Sequence, residues 1–172
     1  MHFKHILFTC IALISGCTTI PDKVTPVQSF DGQRYLGKWY EIARLDHSFE
    51  RGMNQVTADY KLNQDGTIQV TNRGYSLEKQ AWKEAIGKAK FVRSENEGYL
   101  KVSFFGPFYG SYVVFDLDQT NYQYSMIAGP NHDYLWILSR TPTLPEYIKQ
   151  QLVMKAQLAG FDTKQLIWVE QK

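Results

Sequence analysis

From Phe30 to Arg140 the sequence alternates between apolar and polar residues instead of repeating every 3.6 residues. Turn-forming residues recur about every ten positions, and the Asp65-Gly66 pair among them is a strong hairpin signal. The alternation therefore predicts consecutive antiparallel strands joined by short connections. We place these strands at residues 39–45, 55–62, 67–75, 82–92, 99–105, 110–117, 122–128 and 134–140.

After the last of these strands the period becomes helical. Thr143 is the predicted N-cap, with Pro145 in the first turn and Glu146 three residues after the cap. Gly160 ends the helix, and a short final strand follows at 166–169. The helix has one apolar face, formed by Ile148, Leu152, Ala156 and Ala159. We therefore predict an all-β fold, an eight-stranded antiparallel up-and-down β-barrel with one C-terminal α-helix packed outside, because barrel closure removes exposed strand edges.

Residues 1–16 are predicted to be a secretory signal, since a basic start is followed by an apolar run from Ile6 to Ile14 and then by small residues. The run is too short to span a bilayer, which needs about 20 apolar residues. Ile14 to Cys17 (Ile-Ser-Gly-Cys) resembles the bacterial lipoprotein box. The alternative is an ordinary signal in which the cysteine is incidental. The resemblance implies a diacylglycerol on the Cys17 sulfur and an acyl chain, such as palmitate, on its new amino group.

Residues 17–29 are then a lipidated tether, and residues 30–172 form the folded domain. Thr18 follows Cys17 at the position where an Asp would resemble the inner-membrane retention signal. We therefore expect a lipid-anchored protein on the periplasmic face of the outer membrane of a Gram-negative bacterium. Several acyl chains on one protein hold it stably at a membrane.

Removal of the signal also limits the chemistry of the mature chain. Cys10 leaves with the signal and Cys17 carries lipid, so no disulfide is expected. His47 and His132 are the histidines that remain, and we expect neither a metal site nor a cofactor. A net charge of +2 without a clustered basic face argues against nucleic acid as a partner.

Three motifs in chain order resemble those of the lipocalin family. Tyr35 to Glu41 (Tyr-Leu-Gly-Lys-Trp-Tyr-Glu) looks like the Gly-x-Trp-Tyr motif that opens the first lipocalin strand. Phe115 to Asp118, followed by Tyr122, is similar to the second motif, although Asp118-Gln119 departs from the usual Thr-Asp-Tyr. Leu138 to Arg140 resembles the third motif. The resemblance runs from about Phe30 to the C-terminus, and with the lipoprotein box it is specific to the bacterial outer-membrane lipoprotein lipocalins.

We interpret Gly37, Trp39, Asp118 and Arg140 as structural motif residues. The third family motif implies that Arg140 lies across Trp39 at the closed end of the barrel. A planar cation stacked on an indole ring contributes about 2 kcal/mol or more when it is desolvated. Substitution of these residues should therefore reduce stability before it reduces binding.

The resemblance implies a ligand inside the barrel, and side-chain alternation predicts the residues that line it when Trp39 points inward. This lining combines small residues, which leave volume, with polar groups that can bond a head group, a profile that suits an amphiphile with one acyl chain. The alternative is an interior filled by its own aromatic side chains. The predicted lining residues are Ala43, Ala58, Tyr60, Val70, Asn72, Ala85, Val102, Phe104, Tyr112, Val114, Ser125, Tyr134, Trp136 and Leu138.

Two further segments have separate interpretations, one at the exit of the first strand near the predicted barrel mouth and one between two later strands. Asp46, His47 and Ser48 are the three residue types of a catalytic triad, but adjacent side chains do not converge on one relay, and we predict that the protein is not an enzyme. The aromatic loop from Phe104 to Tyr109 is either core packing, a membrane-touching tip or a dimer contact.

The sequence thus predicts an outer-membrane-anchored lipid-binding protein. The resemblance implies that it binds, stores or transports fatty acids or lysophospholipids in the barrel, in membrane maintenance under stress. The alternative is a structural or interaction lipoprotein with a filled barrel, acting through a homodimer or another partner interface.

Overall fold

The computed structural model describes residues 18–172, which form a closed barrel of eight antiparallel strands in chain order. Each strand pairs with its chain neighbours, and β1 closes the ring by pairing with both β2 and β8. A ninth strand pairs with β1 outside the ring. The strands are β1 (Gly37–Arg44), β2 (Met53–Leu62), β3 (Ile68–Ser76), β4 (Ala81–Phe91), β5 (Tyr99–Phe105), β6 (Phe108–Leu117), β7 (Tyr124–Ala128), β8 (Leu135–Ser139) and β9 (Ile167–Trp168). The predicted fold class is confirmed.

An up-and-down barrel places alternate connections at opposite ends. The β1–β2, β3–β4, β5–β6 and β7–β8 connections lie at one end, here called the open end. The opposite, closed end carries α1 (Gly32–Tyr35), a short helix that the sequence did not predict. The Asp31 carboxylate begins this helix by accepting hydrogen bonds from the backbone N–H groups of Gln33 and Arg34.

The long helix α2 (Glu146–Leu158) packs against the outside of the barrel through Leu152 and Ala156. Thr143 is not its N-cap, because the cap position is occupied by Pro145 and has no side-chain hydrogen bond. A residue before proline is kept out of the helical region, so the helix cannot begin at Leu144 or earlier. Among residues 18–172, no helix has the length and apolar character needed to cross a bilayer.

Buried apolar side chains form two separate clusters on the two sides of the barrel wall. The outer cluster lies between the wall and α2 and includes Ile42, Val113, Met126, Ile137, Leu152, Ala156 and Phe161. The inner cluster lies inside the barrel and includes Phe30, Tyr35, Trp39, Tyr60, Ile68, Val70, Leu100, Val114, Ile127 and Leu138. Strand alternation sends neighbouring residues to opposite clusters.

A β-bulge interrupts this alternation in β1. The pairing register with β8 shifts between Glu41 and Ala43. One extra residue reverses the side-chain direction beyond it. Ala43 therefore lies in the outer cluster rather than in the lining, where alternation had predicted it. Arg44 takes the inward direction instead and pairs with Glu41.

Residues 18–29, the N-terminal segment, are not a free tether but lie along the outer wall. The backbone N–H of Gly98 donates to the carbonyl of Val27 at 2.9 Å, beside the closed end. The Thr19 hydroxyl donates at 2.8 Å to the carbonyl of Pro130, which belongs to the β7–β8 connection. The segment therefore runs from the closed end to the open end. The predicted signal at residues 1–16 and the predicted lipidation site Cys17 lie outside the described residues.

Candidate functional site

The closed end is built around Trp39, which is fully buried. Its indole N–H donates to the carbonyl of Tyr35 at 2.8 Å. The guanidinium carbon of Arg140 lies 3.9 Å from the centroid of the Trp39 ring. The same guanidinium donates to the carbonyls of Arg34 at 2.7 Å and Lys38 at 2.9 Å. The structure thus brings together the two residues that the sequence placed against each other.

The other two motif residues, Gly37 and Asp118, act on the backbone conformation at the closed end. Gly37 has a φ of +88°, a conformation that residues with a side chain rarely adopt. The Asp118 carboxylate accepts hydrogen bonds from the backbone N–H groups of Asn121 at 3.2 Å and Gln123 at 3.3 Å. Asp118 therefore stabilises the β6–β7 turn.

A network of buried hydroxyls fills the base of the barrel above this closed end. The Tyr112 hydroxyl lies 2.9 Å from that of Tyr35 and 2.7 Å from that of Tyr60, and Tyr35 also contacts Ser125 at 3.3 Å. Burial raises the pKa of Tyr35 to about 12 and raises the pKa values of Tyr60 and Tyr112 well above the ordinary value. These hydroxyls are therefore neutral, and they bond to one another.

The space left at the base is very small. The cavity between the inner cluster and α1 has a volume of about 10 Å³, which holds at most a single water molecule. The base is therefore filled. A filled interior is the alternative prediction from the sequence, made there for the whole barrel. An acyl chain has no room below the tyrosine hydroxyls.

The half of the barrel nearer the open end is different, because small residues occupy its inward-facing positions. Alternation from Val70 and Ala89, which lie in the inner cluster, makes Asn72, Ala85 and Gly87 inward-facing. Ala85 is nevertheless exposed. A Cβ atom built on Gly110 would meet no atom within 4 Å. Room therefore remains at Gly110 and Ala85 in the interior of the open half, here called the cup, above the filled base.

The cup has a low wall on one side. Strand β4 pairs with β3 from Ala81 to Ala89 but with β5 only from Lys88 to Phe91. The remaining upper part of β4 has a groove of about 320 Å³ beside it. Its lining residues are Asn63, Gln69, Ile86, Gly87, Lys88, Ser103, Phe104, Gly106 and Tyr109. Most of these residues face outward by alternation, and the Phe104 ring packs against Gly87 at this gap.

A buried polar cluster holds the β1–β2 connection at the open end. The Arg44 guanidinium donates to the Glu41 carboxyl at 2.7 Å and to the carbonyl of Glu50 at 2.9 Å. The Trp136 indole N–H donates to the Glu50 carboxyl at 3.0 Å, and the His47 Nε2 lies 3.1 Å from that carboxyl. The cluster joins β1, β8 and the connection, and so fixes the rim of the cup.

Burial determines the protonation of this cluster. It raises the pKa of Glu41 well above its ordinary range, and the nearby Glu50 carboxyl raises that pKa further. Burial also raises the pKa of Glu50, whereas burial and the Arg44 charge lower the pKa of His47 to about 4. Burial therefore favours the protonated form of each carboxyl and the neutral form of His47. Sequence reasoning missed this cluster, because Glu41 and Arg44 face each other only through the β-bulge.

The structure places most of the predicted lining residues inside the barrel. The members in or against the inner cluster are Ala58, Tyr60, Val70, Val102, Phe104, Tyr112, Val114, Trp136 and Leu138. Ser125 is fully buried beside Tyr35, and Asn72 is partly buried. Ala85 faces inward by alternation but is exposed at the low wall. Besides Ala43, Tyr134 differs from expectation, because it precedes β8, where its ring stacks 6.2 Å from that of Trp136.

The triad-like residues of the β1–β2 connection do not converge. The Asp46 carboxylate pairs with Arg51 at 2.6 Å, whereas the His47 ring stacks on Phe49 with centroids 4.1 Å apart. Ser48 is exposed. Within residues 18–172, no group of three histidine, cysteine, aspartate or glutamate side chains could hold a metal ion.

Comparisons with known proteins agree with this architecture. The Lipocalin-like domain family model matches residues 30–171. The protein named outer membrane lipoprotein Blc of Vibrio cholerae is 58% identical over 166 residues, covering 96% of this chain and 97% of the relative. The protein of that name from Escherichia coli K12 is 49% identical over 165 residues, covering 95% and 93%. The solved structure of insecticyanin from the tobacco hornworm shares the fold, with a TM-score of 0.70 at 20% identity over 90% of this chain and 87% of that one.

Proposed function

Because the chain belongs to the lipocalin family, whose barrels bind small hydrophobic molecules, we propose that it binds fatty acids or lysophospholipids in the open half of its barrel. Relatives that match over nearly their whole length are named outer membrane lipoproteins. Together with the lipoprotein box at Cys17, these names support a lipid-anchored position at the outer membrane. Binding there would serve storage or transport of lipid during membrane maintenance.

The observation that carries the proposal is the contrast between the two halves of the barrel. The base is filled by tyrosines whose hydroxyls bond one another, so it offers neither room for a chain nor unpaired groups for a head group. The open half has small inward-facing residues, with Val102 and Phe104 as apolar walls. A single acyl tail fits such a cup with its head group at the rim.

The filled base by itself favours the second candidate, an interaction lipoprotein that uses its barrel only as a scaffold. The two candidate functions make different predictions only for the open half of the barrel. An interaction lipoprotein needs no acyl ligand there, whereas a lipid-binding protein must take one up saturably.

Titration of residues 18–172 with a fluorescent acyl probe tests the difference, because this range contains the whole barrel and the N-terminal segment packed on it. Competition with a fatty acid and a lysophospholipid of equal chain length then identifies the head group. Gly110→Leu places a side chain in the cup and should reduce probe affinity at least tenfold. Thr71→Leu, at an outward-facing position of β3, is the matched control. Equal affinity in both variants, or no saturable binding by the parent, would favour the interaction lipoprotein.

The anchor has its own test. Cys17→Ser should move the protein from the membrane fraction to the soluble fraction, because the acyl chains would no longer be attached. A Cys17→Ser protein that still fractionates with the outer membrane would exclude lipid anchoring at this residue.

A further inference from the structure

The open end carries large apolar side chains that no described residue covers. They come from three of its four connections and include the tip of the β5–β6 hairpin. The exposed fractions are 57% for Phe49, 55% for Leu77, 81% for Phe105 and 64% for Phe108. Single exposed apolar residues are common on proteins, but several at one end of a fold mark an interaction surface.

The β5–β6 tip is built to project these rings outward. Phe104 turns into the barrel against Gly87, whereas Phe105 and Phe108 pair across the hairpin and point away from it. Between them lies the Gly106-Pro107 turn, and a Cβ atom on Gly106 would meet nothing within 4 Å. The aromatic loop is therefore not core packing beyond Phe104, which leaves the other two sequence interpretations, a membrane-touching tip or a dimer contact.

The path of the N-terminal segment distinguishes between a membrane and a second copy of the chain as the partner of this surface. The Ser111 hydroxyl donates to the carbonyl of Thr19 at 2.6 Å, and the Tyr99 hydroxyl donates to the carbonyl of Thr18. The Thr19 hydroxyl in turn reaches Pro130 in an open-end connection. The described chain thus begins on the outer wall beside β5 and β6, and its Thr19 hydroxyl reaches the open end at Pro130. The acyl anchor proposed for Cys17 would therefore join the described chain near the open end.

We propose that the open end docks onto the bilayer that holds the protein's own acyl anchor. Phe49, Leu77, Phe105 and Phe108 enter the head-group region, and the cup faces the lipid. The anchor and the rings act on the same face, so the anchor makes docking intramolecular at a high effective concentration. This inference rests on the proposed function only for lipid attachment at Cys17.

The test uses the lipidated full chain in vesicles of phosphatidylethanolamine and phosphatidylglycerol. The mature chain has no cysteine besides Cys17, whose sulfur carries lipid, so single cysteines can be labelled with an environment-sensitive dye. We compare Leu77→Cys at the open end with Glu95→Cys in the β4–β5 connection at the closed end. Lipid spin-labelled at the head group should quench the dye at position 77 several-fold more than the dye at position 95. Equal quenching, or stronger quenching at position 95, would overturn the proposal.

A pair of variants separates insertion from general stickiness. Phe105→Ser combined with Phe108→Ser should lower quenching at position 77 to the level at position 95. Tyr147→Ser is the matched control, since Tyr147 on the first turn of α2 is 64% exposed, as Phe108 is. Quenching that falls equally in both variants, or in neither, would contradict insertion of the hairpin tip. If the dye at position 77 is shielded from water without vesicles, and more strongly as the protein concentration rises, the surface binds a second copy of the chain instead.

Acyl-probe titration of the same variants keeps the two proposals apart. Phe105→Ser with Phe108→Ser should bind the probe in solution as the parent does, because neither ring lines the cup. Retained probe binding with equal quenching at both labels would refute docking and leave the proposed function standing. Strong quenching at position 77 in a protein that binds no probe would support docking and refute the proposed function.

Discussion

Replacement of Arg140 by methionine tests whether the closed end is a structural plug. The substitution keeps an unbranched side chain over Trp39 but removes the cation, which lies 3.9 Å from the ring centroid. It also removes the donors to the carbonyls of Arg34, Lys38 and Tyr122. A desolvated cation–π contact contributes about 2 kcal/mol. The site is only half-buried, so the contact contributes less than this desolvated value and water replaces the lost donors in part. We therefore expect a loss of about 2 to 3 kcal/mol in the free energy of unfolding.

Arg34→Met is the matched control. The Arg34 guanidinium also stacks on a ring, 4.1 Å from that of Tyr122, and also donates to backbone carbonyls, those of Gln119 and Thr120. It is exposed, however, and an exposed cation–π contact contributes about 0.5 to 1 kcal/mol. Urea denaturation followed by circular dichroism gives both values. A loss under about 1 kcal/mol for Arg140→Met, or equal losses for the two variants, would refute the plug argument.

Three further substitutions test other parts of the structure. His47→Phe keeps the ring stack but removes a group with a pKa of about 4. The free energy of unfolding of the wild type should therefore fall by about 3 kcal/mol relative to that of the variant as the pH drops from 7 to 4. An equal pH dependence of the two proteins in urea denaturation would exclude a buried neutral histidine. Tyr112→Phe should cost about 1 to 2 kcal/mol in urea denaturation by removing the central hydroxyl of the base, and a stability equal to wild type would show that the hydroxyls do not bond. Gly98→Ala places a Cβ atom 2.8 Å from Val27 and should accelerate proteolytic cleavage of the N-terminal segment, so an unchanged cleavage rate would mean that the segment is not held there.

Alternation predicted the interior correctly where strands are regular. Residues such as Ala58, Val70 and Leu138 lie on the predicted side because β2 and β3 pair without a shift from Thr57 to Leu62, and β7 and β8 pair without a shift throughout. The prediction failed at Ala43, where the β-bulge adds a residue that the apolar pattern does not reveal. It also placed Tyr134 in a strand, because a sequence pattern does not show where pairing begins.

Long-range polar contacts were predictable only where a motif encoded them. The stacking of Arg140 on Trp39 followed from the family resemblance. The buried pair of Glu41 and Arg44 did not, because its geometry depends on a local register shift and on a connection folded over it. The docked path of the N-terminal segment was equally hidden, since its bonds run to residues such as Pro130 that are distant in sequence.

For the proposed acyl ligand, the filled tyrosine base would act as a stop at a fixed depth, and this has a consequence for ligand selection. A tail that is longer than the cup cannot sink further, and its surplus methylene groups remain at the mouth. Each methylene left in water forgoes about 0.8 kcal/mol of burial, so each carbon beyond the stop adds nothing to affinity in solution. A bilayer against the mouth would shelter the surplus. Affinity would therefore depend on whether the tail exceeds the depth of the cup when the protein is free in solution, and would lose this dependence when the protein is docked on a membrane.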